Sequence, residues 1–339
     1  MKSYRTVLIL AASLLILFFI YISLLYYEKG TAGRSVLVRV SPGDSFTDIK
    51  EQLESRGLLE HPSVFRWVAY LTGREGKIKV GEYRFDGSES ASSILEKLAA
   101  GAVDYRRVVI PEGLMLNEIA AVTARRTGVD SVRFVELASD SGLIDSLGFR
   151  GETLEGYLFP DTYLITWPFT PREIIVQMVR RFRDVYEREA AGAADSAGMS
   201  RREVVTLASI IQAEAGYEGE MRKISAVYHN RLDKGMRLEA DPTVAYALGG
   251  IRRKLWYKDL RVDSPYNTYR YRGLPPGPIC SPGSTALSAA VRPEPGFDAY
   301  YFVADGSGGH IFSRTLRQHN RAKREIKNGN VREGITTDE

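Results

Sequence analysis

Residues 6–27 (TVLILAASLLILFFIYISLLYY) form an unbroken run of 22 residues without a charge. Such a run leaves a chain few options, because in hydrocarbon every backbone amide must find its partner within the segment, and a helix achieves that. At about 1.5 Å per residue the run covers the roughly 30 Å of a bilayer core, so a membrane-spanning helix is expected. A cleavable signal peptide has a shorter apolar region and a small-residue cleavage site. Here Glu28, Lys29 and Gly30 follow instead. Lys2 and Arg5 precede the span, and Tyr21, Tyr26 and Tyr27 crowd its far end as interfacial aromatics do, although Lys29 and Arg34 also follow it. The expected arrangement is a single-pass anchor in the cell membrane, with residues 1–5 cytoplasmic and everything later on the periplasmic or extracellular side. Residues 28–34 then form a tether of about 25 Å at most.

Beyond the anchor, 339 residues with 44% hydrophobic content suffice for two or more cores. The net charge of +4, from 46 basic and 42 acidic residues, leaves no nucleic-acid footprint. A lone cysteine, Cys280, rules out an intramolecular disulfide, and His61, His229, His310 and His319 show no metal-ligand spacing. Neither a metal nor another cofactor is expected. Asp305–Gly309 (DGSGG) lacks the Lys-Ser/Thr of a phosphate loop and reads as a hairpin tip between Tyr300–Ala304 and His310–Phe312. Nor is there a Gly-x-Ser-x-Gly elbow to suggest a serine hydrolase.

Two early segments look alike. Val36–Val40 reads as a strand, followed by Ser41-Pro42-Gly43 and a helix carrying Ile49 and Leu53; Arg106–Ile110 is followed by Pro111-Glu112-Gly113 and a helix carrying Ile119 and Val122. Lys79–Phe85 alternates as a strand and Ser90–Ala99 as a helix. Residues 35–103 are similar to small glycan-binding modules of the LysM type, with a ligand-free spacer as the alternative. Further on, Thr170 and Pro171 open a helix to about Glu189, and Ala190–Gly198 reads as a mobile connector.

The later sequence is organised around Leu207–Gly216 (LASIIQAEAG). Ser200 and Glu203 form a capping box, the helix that follows is apolar on almost every face, and Gly216 is placed to stop it. Glu214 falls on the stripe of Leu207, Ile210 and Ile211 in the last turn. Burial and the negative end of the helix dipole both raise a carboxyl's pKa there, which suits a general acid. The plainer reading is an ion pair with Arg222, Lys223 or Arg231. A second helix follows over Glu218–Leu232, and Asp241-Pro242 reads as N-cap and first-turn proline of a short helix through Tyr246. The aromatic, Pro/Gly-broken runs at Glu155–Tyr163, Pro265–Tyr269 and Gly273–Pro278 have the texture of cleft-forming loops, apolar enough for a sugar's ring face.

Taken in order, EGYLFPDTY (155–163), LASIIQAEAG (207–216), Asn230-Arg231-Leu232, GMRLEADPTVAY (235–246), YNTY (266–269), residues 273–279 and residues 301–310 resemble the endolytic murein transglycosylase family over essentially the whole chain. The fold this implies is α+β: one N-terminal transmembrane helix, a small LysM-like α+β domain (35–103) and a mixed α/β catalytic domain (104–339) with a buried central helix. The family's catalytic acid matches Glu214; Gln212 stands where the family has another acid, and Glu239 where it often has Gln. The implied reaction is endolytic cleavage of the β-1,4 bond between N-acetylmuramic acid and N-acetylglucosamine in nascent glycan strands, leaving 1,6-anhydro ends and limiting strand elongation. The implied partners are peptidoglycan strands and peptidoglycan synthases (penicillin-binding proteins). Asn267, Tyr269, Asp241 and Tyr157 are the expected substrate contacts, each with a structural alternative: Asp241 as a cap, Asn267 as a turn former, the tyrosines as packing. Two other functions stay open: a hydrolase using Asp161 or Asp241 as second carboxylate, and a non-catalytic membrane-tethered glycan binder or divisome scaffold.

Overall fold

The computed structural model describes residues 2–30, 33–251 and 253–328. Two residues of the expected tether, Thr31 and Ala32, lie outside them, as does the end of the chain from residue 329. Two compact units are present: residues 1–107 with 164–169, and residues 108–163 with 170–339.

The first unit opens with helix α1 (Lys2–Tyr27), whose Tyr4–Tyr27 portion has a mean hydropathy of 2.8. Then come β1 (Val36–Val40), α2 (Phe46–Ser55), α3 (Pro62–Leu71), β2 (Gly81–Phe85) and α4 (Ala91–Ala100). β1 and β2 pair antiparallel, with Val36 opposite Phe85, Val38 opposite Tyr83 and Val40 opposite Gly81. The period-2 alternation puts Val38, Val40, Tyr83 and Phe85 on one buried face against Ile49, Leu53, Phe65, Ile94, Leu95 and Leu98. Glu82 points the other way, yet is buried between Arg39 (2.7 Å) and Arg106 (3.0 Å), which offset the cost of hiding its charge. The end of α1 belongs to this core: Tyr26 is buried in it, and Ile22 and Leu25 pack against it. Just after the helix, Lys29 bridges Ser90 and the Gly30 amide donates to the Glu89 carbonyl. Within the expected tether, Glu28–Gly30 are therefore bonded to the unit, while Gly33 and Arg34, past the two undescribed residues, are exposed.

The chain leaves this unit in β3 (Tyr105–Val109) and re-enters it in β4 (Thr162–Thr166), and the two strands are neighbours. The second unit is mainly helical rather than a mixed α/β sheet structure: α5 (Leu116–Thr127), α6 (Ser131–Ala138), α7 (Ser141–Ser146), α8 (Pro171–Tyr186), α9 (Gly192–Ala197), α10 (Arg201–Glu214), α11 (Met221–Asp233), α12 (Asp241–Ala247), α13 (Ser284–Val291), hairpin β5 (Tyr301–Ala304)–β6 (His310–Ser313) and α14 (Leu316–Lys327). The expected connector at 190–198 is helical: a π-turn over Glu187–Ala191 leads into α9, which ends at Gly198 in the left-handed region (φ 66°). Ala190 and Ala194 are buried, so packing holds what composition alone reads as loose. Helix α10 is the centre of this unit, with Val204–Ile211 buried without interruption and the Ser200–Glu203 capping box in place.

Candidate active site

The segment 276–283 runs along α10. Arg202 donates to the Pro276 carbonyl (2.6 Å), Ser209 accepts the Ile279 amide (3.0 Å), and Gln212 accepts the Gly283 amide (2.9 Å). Gln212 is thus spent on the backbone at the start of α13. On the same segment, the ring of Pro278 presses on Gly156, which has φ 80° and no room for a Cβ.

Glu214 is the last residue of α10 and half-buried. The following Ala215 turns to extended backbone (ψ 127°), so the helix stops there and not at a left-handed Gly216. Gly216 has a different reason to be glycine: a Cβ on it would collide with the carbonyl of Gly308, at the tip of the β5–β6 hairpin. That hairpin is tied to the start of α11 by Glu220, which accepts the His310 amide (2.9 Å) and faces its Nδ1 (2.8 Å). Gly216, Tyr217, Glu220, Lys223, Asp305 and His310 line an open recess of about 520 Å³ beginning two residues beyond Glu214.

The Glu214 carboxyl is pushed up to about 7, first by loss of hydration and then by the charge of Asp241. Three contacts work the other way: the Tyr228 hydroxyl, donating to Oε1 at 3.2 Å; the more distant Arg231; and the backbone amide of Asp241. The ion pair that would have made Glu214 structural is not what holds it. Arg231 gives its guanidinium to the carbonyls of Tyr300, Arg237 and Leu238 and to the Glu239 carboxylate (3.2 Å).

Asp241 is not the N-cap of α12. Ala240 holds that position, with Pro242 in the first turn, and the Asp241 carboxylate instead accepts the Tyr269 hydroxyl at 2.6 Å. Burial and Asp241 raise the Tyr269 hydroxyl's pKa, so it stays a donor. The YNTY loop is stitched to the start of α12 through Thr268, whose hydroxyl accepts the Ala240 amide (3.0 Å) and meets that of Thr243 (2.9 Å). Glu239, beside them, is the non-glycine residue with positive φ (50°) among those described, and its amide donates to the Thr268 carbonyl. Strain of that kind persists only where surroundings over-determine it, and here it lies two positions before Asp241.

Of the expected contacts, the structure brings Asp241 and Tyr269 to Glu214 and buries the other two. Asn267 is 0% exposed; its amide donates to the Leu260 and Val262 carbonyls and accepts the Tyr269 amide, so it builds the loop. Tyr157 is 5% exposed and packs on Phe149 and Phe182. Its neighbour Glu155, pushed up to about 7 by burial, accepts the Leu116 amide at the start of α5. Asp161 is paired with Arg181 at 2.6 Å. Sequence reasoning missed Tyr228 as Glu214's donor, since fourteen positions and a helix break separate them and no local pattern couples the two.

An N-terminal apolar helix, a small strand-and-helix unit and a helical unit centred on a half-buried acid define an α+β protein of one class. The chain belongs to the YceG-like family, whose sequence model matches residues 38–325. It is 32% identical over 316 residues to the endolytic murein transglycosylase of Bacillus subtilis (strain 168), a match covering 89% of this chain and 87% of that one. To the endolytic murein transglycosylase of Streptococcus pneumoniae serotype 2 it is 27% identical over 328 residues, 87% of this chain and 59% of that longer protein. A crystal structure of a YceG-like protein from Listeria monocytogenes is similar with a TM-score of 0.60 and 32% identity, covering 85% of this chain and 99% of that one.

Proposed function

We propose that this protein is an endolytic murein transglycosylase, cutting the β-1,4 bond between N-acetylmuramic acid and N-acetylglucosamine within glycan strands and leaving 1,6-anhydro ends. Glu214 is the acid. Protonated near neutral pH, it gives its proton to the glycosidic oxygen as that bond breaks. The muramic acid's own C6 hydroxyl closes on C1, and the Glu214 carboxylate then takes the hydroxyl's proton. One carboxyl suffices because the nucleophile is part of the substrate, at a high effective concentration. The observation that carries the reading is a half-buried carboxyl pushed up to about 7 and held by a tyrosine, not an arginine. Tyr228 orients it, while Asp241, held by Tyr269, keeps it protonated.

The hydrolase reading would use Asp241, which lies near Glu214, rather than Asp161, which pairs with Arg181. Mass spectrometry of peptidoglycan incubated with the full-length protein in detergent separates the two. Anhydro ends support a transglycosylase, reducing ends a hydrolase, and intact strands a scaffold. Glu214→Gln should abolish all products.

The remaining readings follow from chemistry and arrangement. Residues 35–103, with a strand–helix–helix–strand order like that of LysM modules, hold glycan. Helix α1 anchors the chain in the cell membrane with its N-terminus cytoplasmic, so that cutting falls on nascent strands beside peptidoglycan synthases. Cross-linking in cells that recovers no synthase would count against that last point.

A further inference from the structure

We infer that α3 is a second membrane contact, an interfacial helix whose Trp67, Tyr70 and Leu71 enter the headgroup–acyl boundary of the bilayer that α1 crosses; this rests on the anchor reading above. The helix is two-faced. Val64, Phe65 and Ala69 are buried in the unit's core, whereas Trp67 is 58%, Tyr70 72% and Leu71 59% exposed. Positions i, i+3 and i+4 share one helical face, so these three side chains form one patch, and Arg66 is the charged side chain of this helix. Trp and Tyr with a flanking Arg suit the membrane–water interface, where rings sit at headgroup level and long cationic side chains reach out to water.

The location of the patch names the occupant. Phe18, Phe19 and Ile22 of α1 share a recess of about 400 Å³ with Trp67, Leu71 and Arg74, so this edge of α3 stands alongside the last ten residues of the apolar helix. The uncharged portion of α1, residues 6–27, has 22 residues. At 1.5 Å each it is about 33 Å long, against a hydrocarbon core of about 30 Å. Only about two residues can therefore project beyond the bilayer core. Phe18 lies nine positions, or about 13 Å, before Tyr27, within the hydrocarbon. Side chains facing the same recess therefore lie near the boundary, where Arg74 and Glu96, which also line it, keep their charges on the water side. Because Tyr26 is buried in the unit's core, α3 keeps this level whenever α1 is inserted. The patch continues the lipid-facing surface of α1, which is why a lipid surface, not a protein or a glycan, is its partner.

The test uses the full chain carrying Trp167→Phe and Trp256→Phe, leaving Trp67 as the single tryptophan, in liposomes of phosphatidylethanolamine and phosphatidylglycerol. The expected result is blue-shifted Trp67 emission, quenched by lipids carrying a spin label near the headgroup and shielded from aqueous iodide. A derivative carrying Leu14→Cys and Cys280→Ser reports separately whether α1 is inserted, through protection of its single thiol from a water-soluble maleimide. A protected thiol together with iodide-accessible Trp67 overturns the interfacial helix and leaves the anchor standing. An accessible thiol overturns both. Shielding of Trp67 that needs added glycan strands, or a second protein, also overturns the proposal.

Discussion

Glu214→Gln should make this protein more stable, and do so only toward neutral and alkaline pH. Burial and Asp241 raise the Glu214 carboxyl from 4.5 to about 7 in the folded chain. Below about pH 4.5 the group is protonated in both states and costs nothing. Between 4.5 and 7 the unfolded chain ionises while the folded one does not, so stability falls as pH rises; above 7 the whole penalty is present. At 1.36 kcal/mol per pH unit, that rise amounts to about 3 kcal/mol. Gln keeps a carbonyl oxygen for the Tyr228 hydroxyl and carries no charge to desolvate. For a unit of this size, about 3 kcal/mol corresponds to about 6–12 °C in Tm. Thermal melts of wild type and variant in detergent should therefore nearly coincide at pH 5 and differ by that amount at pH 8. Glu155, also raised to about 7, is common to both proteins and cancels in the difference. The variant should be inactive on glycan strands throughout. An equal Tm difference at both pH values, or a wild type that is the more stable at pH 8, would refute the account of Glu214 as a desolvated acid.

The alkaline limb of activity should lie near pH 7, and two substitutions should move it in opposite directions: Asp241→Asn downward, by removing a charge that raises the Glu214 pKa, and Tyr228→Phe upward, by removing a hydrogen bond that lowers it. Movement of both limbs the same way in pH–rate profiles contradicts the assignment. Gly216→Ala should cost about 1–3 kcal/mol and lower kcat, because the new methyl meets the Gly308 carbonyl and one of two backbones must shift; unchanged melting would show that the hairpin tip is free to yield. Asn267→Ala should lower stability by about 3 kcal/mol, with three buried hydrogen bonds lost. If its Tm is unchanged while KM rises, Asn267 touches substrate after all.

Much of the local structure could be read from residues a few positions apart. The capping box at Ser200–Glu203, the helix start at Thr170-Pro171, the strand at Val36–Val40 and the stripe ending in Glu214 all rest on interactions within one or two turns, and the observed elements follow them. Where sequence reading failed, a distant contact overrode a local signal. Composition at 190–198 favours a loop, yet Ala190 and Ala194 pack into a core and the segment stays helical. Asp241-Pro242 has the form of a cap, yet the Asp241 carboxylate accepts the hydroxyl of Tyr269, 28 positions later. Asn267 reads in the sequence as a substrate contact or a turn former, and in the fold its amide bonds the Leu260 and Val262 carbonyls of its own loop.

By itself, the sequence determined that the chain begins with a helix of membrane length, that a mostly apolar helix ends in a carboxyl, and which residue that carboxyl is. Periodicity is a property of neighbours along the chain, so it survives without a fold. What only the tertiary structure decided is whether that carboxyl is held in an ion pair. Arg231 was close enough in sequence to neutralise Glu214, and it is the carbonyls of Tyr300, Arg237 and Leu238 that draw its guanidinium away, leaving Tyr228 and Asp241 to set the proton's affinity. Charges interact through space with a strength fixed by distance and hydration, and neither quantity exists until the helices have packed.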